Sequence, residues 1–242
     1  MNSIPVVLAR SLSRGLAFCA LLALAGSSFA QDKAKPAAPA AKPAAAATAA
    51  PASPELKYKT NVKGPADAPI RVVEFADFMC PGCRAASGAL REYFAQQGGD
   101  MNLTFKNFPL EKTCNPGIGQ SIHNGSCELA LGAICASELG VFWPYHDRVF
   151  SRAWEVATHQ DVIDNGVAVG MNKAKLEACL ASPEAKSKLA IQIKEGFETV
   201  VQVTPTLVVN GRKLNATNEF SAAIEAERKK LAATPAPAPA KK

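Results

Sequence analysis

An α/β fold interrupted by a run of helices is what this sequence predicts, and three features predict it. An apolar run delivers two cysteines to the start of a helix across residues 70–97, residues 124–200 carry helical patterning throughout, and a Thr-Pro pair leads into a final apolar strand and hairpin after residue 203.

The first run, IRVVEFADFM, starts at Ile70, and Val72, Val73 and Phe75 show no apolar/polar alternation, as suits a strand buried on both faces. After Cys80-Pro81-Gly82-Cys83, apolar residues fall at Ala86, Leu90, Tyr93 and Phe94 before Gly98-Gly99, which is helical spacing with a glycine stop. Cys80 is therefore expected at a helix N-terminus, where unpaired N–H groups and the helix dipole stabilise a thiolate. Pro81 suits the first helical position because it has no N–H to leave unpaired. Two sulfurs on one turn can divide the work of thiol exchange: the first meets a partner's disulfide and the second releases the mixed disulfide. A C-x-x-C pair is also half of a zinc site.

The second signal is Val203-Thr204-Pro205-Thr206-Leu207-Val208-Val209-Asn210-Gly211, a proline running straight into an apolar strand and an Asn-Gly hairpin turn. Together the two motifs resemble the thioredoxin superfamily. The stretch GPADAPIRVVEFADFMCPGC, with the helices that follow, is similar to the DsbA-like periplasmic oxidoreductases over residues 57–231. That resemblance implies a thioredoxin fold with a helical subdomain inserted at about 120–200. It implies that Cys80 attacks, that Cys83 resolves, and that Thr204 and Pro205 form a cis-proline loop that aligns an extended substrate. It also implies a buried acid beneath the pair, relaying the proton of the second cysteine. Of the two acids before the motif, Glu74 and Asp77, Glu74 is better placed, the alternative being a carboxylate at a strand end in solvent. The implied substrates are cysteine-containing secreted proteins, with a membrane redox partner resetting the pair and no cofactor or metal required.

The remaining elements follow in order. Residues 1–30 carry Arg10 and Arg14, an apolar core and Ser28-Phe29-Ala30, the pattern of a secretory signal peptide, and hence of a periplasmic product. Cys19 follows a bulky Phe18 inside the apolar run and does not suit lipid attachment. Residues 31–54 are almost entirely alanine, proline and lysine and are expected to form a disordered linker. The folded domain is placed at 55–231. Residues 102–107 read as a second strand, and Phe108-Pro109-Leu110 opens a loop. Ser126 is expected to cap a helix ending near Gly140, Pro144 to start another, and Thr158 with Asp161 to form a capping box. Asn172 and Ser182-Pro183 begin two more. A strand at 206–209, the Asn210-Gly211 turn, a strand at 212–214 and a helix at 218–231 close the domain, with a disordered Ala/Pro tail at 232–242.

At 242 residues and 48% hydrophobic content the chain can bury one sizeable core, and its net charge of +6 is spread over leader and low-complexity ends, with no basic face for nucleic acid. Besides the pair, Cys114, Cys127, Cys135 and Cys179 remain, an even number in an oxidising compartment. The short loop with Pro116, Gly117 and Gly119 favours a Cys114–Cys127 bridge, which leaves Cys135 with Cys179 or two buried free thiols. A metal site at Cys114, His123 and Cys127 is the competing reading of that cluster. His146 and His159 read as surface or capping groups. The direction of exchange stays open: DsbA itself has Pro-His between its cysteines and valine before the proline, whereas this chain has Pro81-Gly82 and Thr204. Oxidation is the preferred direction and reduction or isomerisation the alternative, with a non-enzymatic module in which the cysteine pair is structural or metal-holding, a binding or chaperone domain, as the alternative from a different class.

Overall fold

The central strand is β2 (Ile70–Ala76), and the chain folds outward from it on both sides. The computed structural model describes residues 61–215 and 217–233. The expected leader at 1–30, the linker at 31–54 and the tail beyond residue 233 lie outside the described residues. After β1 (Val62–Lys63) and β2 come α1 (Pro81–Gln97) and β3 (Met101–Asn107). Five helices follow: α2 (Ser126–Glu138), α3 (Phe142–Phe150), α4 (His159–Ala168), α5 (Lys173–Ala181) and α6 (Pro183–Glu198). The chain closes with β4 (Thr206–Val209), β5 (Arg212–Lys213) and α7 (Phe220–Ala233). The sheet order is β1-β3-β2-β4-β5, with β2 and β3 parallel and the other pairs antiparallel.

The parallel β2/β3 pair needs a crossover, and α1 supplies it. Register pairs Glu74 with Phe105 on β3 and with Leu207 on β4, so Glu74 sits in the middle of the sheet. The turn at Asn210 (φ 46°) and Gly211 (φ 82°) has positive φ at both central residues, as a tight Asn-Gly hairpin requires.

α2 is buried on nearly every side, including Leu129, Ala130, Ala133, Ile134 and Cys135, and packs against each of α3, α4, α5 and α6. A helix apolar all round has to be a bundle's axis. Its small residues matter: a side chain at Gly132 would lie 2.2 Å from the Tyr145 hydroxyl oxygen. The helical core is continuous with that of the sheet, Phe78, Phe105, Leu129, Tyr145, Leu176 and Ile193 belonging to one buried cluster.

Boundaries moved at several places. Ser126 does not cap α2. The cap is Gly125, held at φ 98° with its missing Cβ position 1.9 Å from the Ala157 carbonyl oxygen, which only glycine tolerates. The orphan N–H groups go instead to the Glu111 carboxylate, which accepts from Gly125 N (3.0 Å) and Cys127 N (2.9 Å). α3 begins at Phe142 rather than Pro144, and α7 runs through Ala233, two residues into the expected tail. The capping box at Thr158 and Asp161 and the caps at Asn172 and Ser182 are present as expected.

Candidate active site

Asp77 builds the approach to the cysteines. Its side chain is fully buried; Oδ1 accepts from Met79 N at 2.7 Å, Oδ2 from Leu110 N at 2.6 Å, and its carbonyl accepts from Cys80 N at 3.1 Å. The carboxylate thus ties the turn after β2 to the loop after β3 and fixes where α1 starts. His123 completes it, with Nδ1 3.0 Å from Asp77 Oδ2.

Cys80 is the N-cap of α1, with Pro81 in the first turn. Its Sγ lies 3.4 Å from the Thr204 carbonyl oxygen, and the Thr204-Pro205 peptide is cis. The two motifs, 124 residues apart in sequence, therefore meet at the sulfur. Gly82 lets them meet closely: a Cβ there would be 3.3 Å from Pro205 Cδ and 3.7 Å from Cys80 Sγ. The Cys80 thiol is brought down from 9.0 to about 5; the hydrogen bond from Cys83 contributes most, desolvation opposes it, and Thr204 with the backbone N–H groups of Cys83 and Gly82 adds to the fall.

Cys83 is wholly buried, and burial pushes its thiol well above the ordinary value, with Cys80 and Glu74 pushing the same way. One sulfur is a thiolate at neutral pH and its neighbour a thiol. Both are reduced and free.

Glu74 is 1% exposed, its two carboxyl oxygens have no hydrogen-bond partner, and burial raises it from 4.5 to about 8. The solvent-facing alternative for this residue does not describe it. The Asp77–His123 pair had no clear signal in the sequence: His123 stood out only for its nearness to Cys114 and Cys127. Those two sulfurs are bonded to each other, at 2.06 Å, and so are not free to ligate a metal beside His123. Cys135 and Cys179 are also bonded, across α2 and α5.

The reading of His146 as a surface or capping group is corrected: it is 3% exposed, enclosed by the rings of Phe78, Phe105, Phe142, Trp143 and Phe150. It occupies the inner face of α3, set by a helical repeat with Phe142, Tyr145 and Val149. His159 is exposed and pairs with Glu128. Beside Gly82, an open groove of about 470 Å³ is lined by Ala86, Leu90, Tyr93, Leu207 and Phe220.

A family model described as thioredoxin matches residues 57–226. Among curated proteins, a Bacillus anthracis chain named "Probable disulfide bond formation protein D" is 30% identical over 178 residues, covering 69% of this chain and 77% of that one. A Na(+)/H(+) antiporter NhaA from Herminiimonas arsenicoxydans is 26% identical over 172 residues; the chain covers 70% of itself but only 26% of the antiporter, so it spans about a quarter of such relatives. No described helix is long and apolar enough to cross a membrane. Among solved structures, oxidised BdbD from Bacillus subtilis aligns with TM-score 0.57 at 21% identity, over 72% of this chain and 94% of that one. A thioredoxin-like oxidoreductase from Silicibacter pomeroyi DSS-3 aligns with TM-score 0.59 at 20% identity, over 71% and 93% respectively. Both likenesses bear on the fold.

Proposed function

This chain belongs to the thioredoxin family, and on that footing we propose that it is a DsbA-like thiol:disulfide oxidoreductase that oxidises cysteine pairs in secreted proteins. The observation that carries the proposal is Cys80: a helix-capping sulfur held near pKa 5 beside a cis-proline loop, with Cys83 buried behind it.

In the oxidising direction a substrate thiolate attacks Cys80 Sγ of the Cys80–Cys83 disulfide. That bond breaks, and Cys83 leaves with the electron pair. With its high proton affinity, Cys83 takes a proton, and Glu74, mostly protonated at neutral pH, supplies it. The substrate's second thiolate then attacks its own sulfur in the mixed disulfide, and Cys80 departs as a stable thiolate. A low leaving-group pKa speeds that release and favours the reduced enzyme, which is the thermodynamic meaning of an oxidant.

The Thr204-Pro205 loop presents backbone at the sulfur, and the adjacent apolar groove would take a side chain of an extended substrate. The bonded Cys114–Cys127 and Cys135–Cys179 pairs favour an oxidising compartment, in keeping with export by the segment at 1–30. A membrane redox partner would return the pair to the disulfide. Reduction or isomerisation is the second reading, favoured by Gly82 and Thr204, which depart from the DsbA pattern. The test is refolding of a reduced, unfolded secreted protein by the oxidised enzyme. Stoichiometric transfer of one disulfide per enzyme, lost in Cys80→Ser, is expected. Failure to transfer, with efficient reduction of disulfides instead, would reverse the direction.

A further inference from the structure

Glu74 is shut off from solvent, so a proton that reaches it needs a way in and out. The buried face of α1 carries Cys83, Ser87 and Leu90, successive turns of one stripe. Ser87 and Leu90 also line a cavity of about 10 Å³, whose other walls include Glu74, Trp143, His146 and Asp147. That size is about the least that admits a single water, which also needs polar partners on the walls.

Two groups on its walls are buried and unpartnered, the Glu74 carboxyl and Nε2 of His146. Phe105, the register partner of Glu74 on β3, meets the His146 ring edge-on at 5.1 Å, which places the two polar groups on one side of the sheet. The other ring nitrogen, Nδ1, lies 2.9 Å from Asp147 Oδ1, and the Asp147 side chain is 38% exposed. With Nδ1–H donating to that carboxylate, Nε2 is left as an acceptor.

We propose that Glu74, one water in this cavity and the His146–Asp147 pair form the proton path between Cys83 and solvent. The proposal rests on the oxidoreductase reading above. When Cys83 attacks a mixed disulfide, the Cys80–Cys83 bond forms and the bond from Cys80 to the partner sulfur breaks, the partner leaving as a thiolate. Glu74, which holds a proton at neutral pH, first passes it through the water to Nε2 while Nδ1–H passes to Asp147 and out, and the carboxylate so freed takes the Cys83 proton. Reduction of the pair runs the path backwards. The charged groups around His146 suit the role. Burial holds the imidazole below its ordinary pKa, so it is neutral and able to accept; Asp147 opposes that, while Lys63 of β1 and Arg91 of α1 reinforce it. Glu74 of β2 completes the set.

The experiment prepares the full chain as a Cys80–glutathione mixed disulfide and follows glutathione release by stopped flow across the neutral range, in H2O and D2O. Two His146 variants and one Glu74 variant test the path. His146→Phe suits an aromatic surround, and His146→Gln keeps polarity without a titrating ring. Both are expected to release glutathione roughly 10-fold more slowly at neutral pH, and Glu74→Gln about 100-fold more slowly, the low end of what a positioned acid–base group contributes. The isotope ratio should rise in both His146 variants, while alkylation of Cys80 stays within about twofold of wild type, a readout that separates proton supply from misfolding. A wild-type rate and pH profile in either folded His146 variant overturns the path. Absence of release from the wild-type chain would instead count against the oxidoreductase reading.

Discussion

Replacing Glu74 by glutamine removes a carboxyl that burial has moved from 4.5 to about 8. Between those values the folded protein holds a proton that the unfolded chain has lost. Stability therefore falls as pH rises, by about 1.4 kcal/mol per pH unit, and by about 5 kcal/mol across the whole window. The residue is 1% exposed, so solvent screening does little to reduce this. Cys80 acts in the opposite sense in the reduced protein, because its folded pKa is depressed and its stabilising contribution grows as pH rises from about 5 towards 9.0. Both proteins carry Cys80, so the difference between their curves isolates Glu74. The buried amide of the glutamine costs about 1–3 kcal/mol if it stays unpaired, but that cost does not titrate. Urea unfolding of reduced wild type and Glu74→Gln at intervals from about pH 5 to about pH 8 measures the difference. The variant should gain on the wild type steadily with pH. Parallel curves across that range would mean that Glu74 ionises normally in the fold, and the proton-donor role would fall with it.

Further outcomes are expected. Alkylation of the reduced protein should be confined to Cys80, with a midpoint near pH 5 and Cys83 unmodified; a midpoint near the ordinary thiol value would contradict the site geometry. His123→Ala should shift that midpoint upward by at most about 0.7 unit, the equivalent of 1 kcal/mol for a partly exposed charge. The Asp77 hydrogen bond raises the His123 pKa, so the imidazolium's contribution is present at low pH and lost as pH rises through that raised value; NMR titration of the ring reads it directly. Removing the Cys135–Cys179 bridge, with a sequence separation of 44, should destabilise by about 4 kcal/mol on loop-closure grounds. Removing Cys114–Cys127, with a separation of 13, should cost about 3 kcal/mol, with both compared by denaturant unfolding.

Local signals in the sequence carried far where the chemistry is local. The unbroken apolar run from Ile70, the Pro81 helix start, the Thr158–Asp161 box and the Asn210-Gly211 turn each specify a conformation through neighbouring residues. What escaped was set by contacts distant in sequence. The two-residue strand Val62–Lys63 pairs with Leu103 and Thr104 and has no periodicity of its own. The α2 cap depends on Glu111 and on the backbone at Ala157. His123 joins Asp77 across 46 residues, and no pattern in either segment announces it. For His146 a signal did exist: Phe142, Tyr145, His146 and Val149 fall on one helical face, and histidine's polarity masked a core position.

The most direct test of the central claim is the reduction potential of the Cys80/Cys83 pair, measured in glutathione buffers and read on the isolated peptide. Interpolating between thioredoxin, with cysteine pKa near 7 at about −270 mV, and DsbA, near 3.5 at about −120 mV, a pKa of about 5 corresponds to roughly −180 mV. A value in that region is the predicted result and sets the pair well to the oxidising side of thioredoxin, excluding a thioredoxin-type reductant. One at or below about −270 mV would mean that the Cys80 thiolate is not stabilised as described, and would contradict the account.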